Sequence, residues 1–251
     1  MCTVTFIPKN NGWILTSSRD EKKVRETLPP KIHDVFNQNL IYPKDQLAGG
    51  TWIALSDKKI SVCLLNGGFE LHEKKKYTKS RGLVLLERFR FESLDDFWNS
   101  IELEAVEPFT LLNVEHNDEL KLTELVWDGN QKHKTVKSIR KTHIWSSVTL
   151  YSSSIIEERK KWFRKWCLEH KAMDGYKIEE FHQSFFTDNS AQNILMKRTG
   201  GLQTVSISRI ESTNGSTQLK YNDLLSNTSC ALSFDQYAFA NKTRCVEGFP
   251  E

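Results

Sequence analysis

A cysteine at position 2, an Arg-Asp-Glu triplet at 19–21 and an asparagine at 66 are the residues of this sequence whose types and spacing could do chemistry together. Removal of the initiator methionine is normally efficient when the next residue is as small as cysteine, and it would leave Cys2 with a free α-amine beside its thiol. That amine, with an unperturbed pKa of about 8, can serve as general base for its own side chain. Arg19 would favour the thiolate, Asp20 could orient the amine and stabilise its protonated form, and Asn66 could offer its amide N–H to a developing oxyanion. A cysteine at position 2 is more often an inert strand residue than a nucleophile, so the weight falls on what the fold sets beside it.

Two hairpins are expected to do the positioning. Residues 2–7 and 13–18 are rich in Thr, Val, Ile and Phe and flank "PKNNG", whose Asn11-Gly12 is a hairpin-turn signal. A turn near Asn10 to Gly12 sets position 2 across from about positions 19–21. A second hairpin, "GGTWIAL", "SDKK", "ISVCLLNGG", turns near Asp57-Lys58 and sets Asn66 opposite Gly49 and Gly50. Residues 21–48, carrying prolines and charges, read as a long surface loop with one helical turn.

Farther along, residues 79–104 read as helical, with Ser93 as N-cap of "LDDFWNSIEL". Four strand candidates follow between 108 and 151. "SSSIIEERKKWFRKWCLEHK" is an amphipathic helix with Ile156, Phe163 and Cys167 on its apolar face, and "YKIEEFHQSFF" is a second helix. "LQTVSISRI", "ESTNGS" and "TQLKYNDLL" make a third hairpin. Strands in blocks and helices in blocks, without strict alternation, predict an α+β fold in which sheets meet each other and helices lie outside. With no internal repeat and no clear linker, a single domain over 1–251 is expected.

Composition narrows the function classes. The 251 residues, 38% hydrophobic and 27% charged with 12 Gly and 6 Pro, exclude disordered, collagenous and low-complexity chains. With 35 basic against 32 acidic residues, charge alone announces neither nucleic-acid nor membrane binding. The five cysteines are scattered without a C-x-x-C pair, and the seven histidines without H-x-x-x-H spacing, so neither a disulfide framework nor a metal site is indicated. The first 25 residues hold no signal-peptide run, and no window approaches a membrane span. A cytoplasmic protein with a small-molecule substrate or ligand is expected.

The start "MCTVTF", then "SSRDE", "AGGTWIAL" and "CLLNGG", resembles the NRDE-motif family that includes the transport and Golgi organisation proteins. More distantly it is similar to the cysteine N-terminal nucleophile hydrolases such as penicillin V acylase and bile salt hydrolase. The resemblance implies an αββα sandwich, two antiparallel sheets face to face with helices on both outer faces. It implies Cys2 as nucleophile on an amide carbonyl, Arg19 and Asp20 as the flanking pair, and Asn66 as an oxyanion donor. It also aligns Ser147 with an oxyanion-hole asparagine of the hydrolases and Arg198 with a basic residue of the family. Ser18 replaces the first letter of the NRDE motif. The activity implied is hydrolysis of a linear or cyclic amide. The alternative is a non-catalytic binding or trafficking protein, since family members are linked with Golgi organisation and with haem movement.

Three further signals have plainer explanations. "HEKKKYTKSR" at 72–81 could contact phosphates or an acidic partner but reads first as a solvated loop. Trp162, Phe163 and Trp166 could line a ligand pocket, although a helix packed on a sheet uses the same residues. His170 and Cys167 are the nearest approach to a haem-ligating pair.

Overall fold

The computed structural model describes residues 3–73, 75–117, 119–170 and 173–235. Thirteen strands are described, numbered in chain order: β1 Thr3–Lys9, β2 Gly12–Lys22, β3 Thr27–Val35, β4 Gln38–Asp45, β5 Ile53–Ser56, β6 Ile60–Asn66, β7 Phe109–His116, β8 Leu120–Trp127, β9 Lys132–Lys137, β10 His143–Ser146, β11 Leu202–Thr213, β12 Ser216–Asp223 and β13 Thr228–Ser233. The helices are α1 Arg81–Glu87, α2 Leu94–Ser100, α3 Ser153–Glu169 and α4 Gly175–His182, with short 3-10 turns at Arg88–Arg90 and Thr199–Gly201. The strands form two antiparallel sheets. One has the order β10-β1-β2-β11-β12-β13 and the other runs β3 to β9 in sequence.

The period-2 alternation of each strand sorts its residues into layers. Val4, Phe6 and Leu15 of the first sheet meet Ile53, Leu55, Cys63, Leu65 and Leu112 of the second in a core between the sheets. The opposite face of the first sheet sends Ile7 and Ile14 against Phe163 and Trp166 of α3 and Ile178 and Phe181 of α4. The outer face of the second sheet, with Val62, Leu64, Phe109 and Leu111, is covered by Leu85 of α1 and Leu94, Phe97 and Trp98 of α2. This is the expected αββα sandwich. Each such side chain, removed from water, contributes about 1.5–3 kcal/mol. Among the described residues no helix is long and apolar enough to cross a membrane.

The N-terminal hairpin takes the register its turn predicts, with Lys9 opposite Gly12 and Thr3 opposite Ser18. Ser93 caps α2 as expected, its hydroxyl accepting from the Asp96 N–H at 3.0 Å. Residues 79–104, expected as helical throughout, instead divide into α1, a 3-10 turn and α2. The stretch 21–48 is a correction. It is no loop but the strand pair β3–β4, which closes one edge of the second sheet. Pro29 and Pro30 fall at the register irregularity between Leu28 and Lys31 on this edge strand, where a missing N–H breaks no ladder. Its turn uses Phe36 and Asn37 at φ 53° and 59°, a left-handed pair without the glycine that normally signals it. The strand β13 was also not expected.

Candidate functional site

Alternation along β2 sends neighbouring residues to opposite faces, and the two members of the Arg-Asp pair enter different networks. Arg19 and Asp20 are each only 3% exposed. On the strand beside them, β11, the pairing shifts between Thr204, opposite Asp20, and Ser206, opposite Arg19. A bulge at this point re-aims side chains next to a site.

The Arg19 guanidinium stacks over the Trp52 ring at 4.9 Å and pairs with Asp45 at 2.8 Å. Asp45 also receives Arg25 at 2.8 Å. Burial alone would raise the Asp45 pKa, but the Ala48 N–H, Arg25 and Arg19 together hold it below the usual carboxylate value. Arg25 in turn meets Glu21 at 3.2 Å. These groups, with Asn66 at the end of β6, surround a small pocket of about 80 Å³. The second hairpin pairs Leu55 with Ser61 through Ile53 with Cys63, and the Leu64 N–H donates to Trp52 O at 2.8 Å; Gly50 and Asn66 lie just beyond these pairs, and both line this pocket. Gly50 is needed there because a Cβ would stand 2.5 Å from the carbonyl carbon of Gly82, at the start of α1.

Asp20 is gripped from both sides. Thr204 Oγ1 donates to it at 2.7 Å and Tyr151 Oη at 3.1 Å. Two guanidiniums approach the Tyr151 ring, Arg159 at 3.7 Å and Arg198 at 5.4 Å from its centroid. Arg198 is therefore joined to Asp20 through a ring, and it also donates to Leu150 O. Arg159 is wholly buried, and among the described residues its partners are neutral. It donates to Thr3 Oγ1 at 2.6 Å, to Gln192 O at 3.1 Å and to Asn193 O, and the Tyr151 ring supplies the electron-rich face.

Ser18, at the position where the motif departs, is also placed. Its hydroxyl lies 2.7 Å from His182 Nδ1, while Nε2 of the same ring lies 2.9 Å from Thr5 Oγ1. Complete burial, helped by the Arg159 charge, pushes the His182 pKa down to about 3. The ring is neutral, with one nitrogen donating and the other accepting. It ties β1 to β2 at the end of the strand pair where Arg19 and Asp20 begin.

Asn66 also borders a second, larger cleft of about 830 Å³, lined by Phe69, Leu71, Trp145, Tyr151 and Ile156 among others. Phe69 and Leu71 stand on its rim, 57% and 73% exposed. Ser147 lies beneath, and its hydroxyl donates to the Asn66 carbonyl at 2.7 Å. The hydroxyl proton is thus held by the backbone of Asn66.

The structure brings Arg19 and Asn66 to one pocket and connects Asp20 with Arg198, and Ser147 with Asn66. Cys2 lies outside the described residues. Trp162, Phe163 and Trp166 sit with the α3–α4 core, Trp162 stacked on Phe186, rather than around a cavity. His170 stacks on Trp166, and Cys167 is pushed up to about 11 by burial; neither lines the two cavities. Trp52, Asp45, Tyr151, Arg159 and His182 were not singled out from the sequence. A tryptophan within "GGTWIAL" and a histidine on an amphipathic helix carry no local mark of the partner that the fold supplies.

A family model described as Transport and Golgi organisation 2 matches residues 1–228. No curated protein matches the sequence. Among solved structures, a variant of conjugated bile acid hydrolase from Clostridium perfringens is similar at a TM-score of 0.60 and 10% identity, covering 94% of this chain and 93% of that one. The Caenorhabditis elegans ortholog of N-acylethanolamine-hydrolyzing acid amidase is similar at a TM-score of 0.54 and 10% identity, covering 85% and 93%. At such identities the likeness is one of fold, that of the N-terminal nucleophile hydrolases.

Proposed function

We propose, for a chain that belongs to the Transport and Golgi organisation 2 family, a cysteine amidohydrolase of the N-terminal nucleophile type that cleaves the C–N bond of a small amide. The Cys2 thiolate attacks the amide carbonyl carbon, forming a C–S bond and pushing the carbonyl electron pair onto oxygen. The Asn66 amide N–H stabilises that oxyanion. The α-amine takes the thiol proton and passes it to the leaving nitrogen as the C–N bond breaks. Water then hydrolyses the thioester and restores the thiol. Arg19 supports the thiolate, and Asp20 holds the ammonium form of the α-amine.

The observation that carries this reading is that Arg19 of the first sheet and Asn66 of the second line one pocket. The larger cleft, which Asn66 borders, sets apolar side chains such as Trp145 and Ile156 beside polar ones such as Thr110 and Glu124, a mixed lining that suits a small amide.

A second reading, a ligand-binding or trafficking protein with haem as one ligand, is favoured by Ser147. With its proton given to the Asn66 carbonyl, it is a poor replacement for a second oxyanion donor. Loss of one good donor costs about 10²–10³ in rate.

Intact mass and iodoacetamide labelling separate the two. Cys63, pushed up to about 12 by complete burial, and Cys167, near 11, are poor competitors for alkylation. Loss of Met1 and fastest labelling at Cys2 support the hydrolase. A retained Met1, or labelling of Cys2 no faster than the other thiols, overturns it, and a Soret-band titration then tests haem.

A further inference from the structure

Arg159, in the middle of α3, is 0% exposed, and among the described residues every group it touches is neutral. Its guanidinium donates to Thr3 Oγ1 at 2.6 Å, to Ser146 Oγ at 3.4 Å, to Gln192 O at 3.1 Å and to Asn193 O, and it lies 3.7 Å from the centroid of the Tyr151 ring. Hydrogen bonding is thus satisfied, but the charge is not cancelled. Burying a cation without a counter-ion is costly, and the low-dielectric surroundings that make it so also carry its field farther than water would.

That field falls on the start of the chain. Thr3 follows Cys2, and consecutive Cα atoms are about 3.8 Å apart, so the guanidinium stands within about 10 Å of the Cys2 Cα. The charged and titratable groups around this end of β1 and β2 are otherwise answered. Arg19 is balanced by Asp45 at 2.8 Å. His182 of α4 is neutral, and the Arg159 charge helps to hold it so. Arg198 is half-buried and screened in part by solvent. Asp20 opposes Arg159, with its own charge engaged by the Thr204 and Tyr151 hydroxyls.

We propose that Arg159 is a positioning residue for the reaction, a buried and uncompensated charge that grips Thr3 and favours the thiolate of the neighbouring Cys2. It adds to Arg19, whose charge is largely spent on Asp45. The inference rests on the proposed hydrolase only in taking Cys2 as the group acted on. At about 10 Å and an effective dielectric of about 20, one such charge lowers a thiol midpoint by about one pH unit.

The test is the rate of iodoacetamide alkylation at Cys2, mapped by peptide mass as a function of pH on the full chain. The native midpoint should lie below the ordinary cysteine value of about 8.5. Arg159→Gln should raise it by about one pH unit, Arg159→Lys should keep it low although the guanidinium fork is lost, and Arg164→Gln, the same charge change on the exposed face of α3, should leave it in place. The native protein also decides the matter if Arg159→Gln fails to fold: its midpoint should hold between about 0.05 and 0.5 M NaCl, since salt screens a buried charge little. A native midpoint at the ordinary value, one that climbs with salt, or equal rises in the glutamine and lysine variants overturns the role. Acylation of Cys2 by decanoyl p-nitroanilide is followed separately. A midpoint set by Arg159 without acylation keeps the charge and removes the hydrolase, whereas acylation in a protein whose midpoint ignores Arg159 does the reverse.

Discussion

The Ser147 hydroxyl donates to the backbone carbonyl of Asn66 across 2.7 Å, joining the segment after β10 to the end of β6. These elements belong to different sheets, so this hydrogen bond fixes Asn66 relative to the first sheet, which carries Arg19 and Asp20. Ser147 is a positioning residue. Thr149 Oγ1, 2.8 Å away, completes the hydroxyl's hydrogen bonding.

Replacing it should show as a loss of stability. Ser147 is itself 1% exposed, and Ser147→Ala leaves the carbonyl of half-buried Asn66 without this donor, which costs about 1 kcal/mol. Urea unfolding at neutral pH measures this. A change within experimental error would mean that the carbonyl finds another donor and that Asn66 is not held from Ser147.

His182 makes stability fall with acid. Its folded pKa, about 3, lies below the 6.5 of an ordinary imidazole. The unfolded chain therefore takes up a proton that the native protein refuses as pH drops from 6.5 toward 3. The stabilisation is complete above pH 6.5 and declines by up to about 1.4 kcal/mol per pH unit below it. His116, lowered to about 4 by burial and by Lys59, acts in the same direction. Unfolding at pH 5 and pH 7 should therefore show a smaller acid loss in His182→Gln than in the native sequence. Parallel losses would mean that His182 is not buried neutral.

Asp45 holds two guanidiniums, and removing its charge should be severe. The Arg19–Asp45 pair is desolvated, with side chains 4% and 10% exposed, whereas Arg25 at 35% exposure is largely screened by solvent. Asp45→Asn should destabilise by about 3–5 kcal/mol, chiefly by stranding Arg19 in the interior. Chemical denaturation at pH 7 checks this, and a loss under about 1 kcal/mol would place Arg19 in water instead.

Close backbone approach sets the wall of the small pocket. Gly50→Ala drives a Cβ to 2.5 Å from Gly82 and should displace α1, with a destabilisation of about 1–3 kcal/mol in urea unfolding. A variant of native stability would show that α1 moves freely at this contact.

The share of this architecture legible from the sequence follows the range of the interactions. Asn11-Gly12 fixed a turn, and with it the register that leads to Arg19, because a two-strand hairpin is decided within twenty residues. Ser93 announced α2 through a local cap. The β3–β4 pair was hidden because Pro29, Pro30 and a left-handed Phe36-Asn37 turn imitate a loop when read locally, although an edge strand tolerates them. Arg19, Asp20 and Asn66 could be named from type and register, but the partners that define them could not. Asp45, Trp52, Tyr151 and Arg159 reach the site through packing between distant elements. Ser147 was placed near the site by resemblance, and only the fold shows its proton directed to a carbonyl.

Whether Cys2 is acylated is read from the mass of the protein quenched during turnover of decanoyl p-nitroanilide, a neutral anilide with a visible leaving group. A Cys2 nucleophile gives a decanoyl adduct mapped to Cys2 and an early burst of nitroaniline, with neither in Cys2→Ala. Nitroaniline release that persists in Cys2→Ala, or an acyl adduct on any other residue, would contradict it.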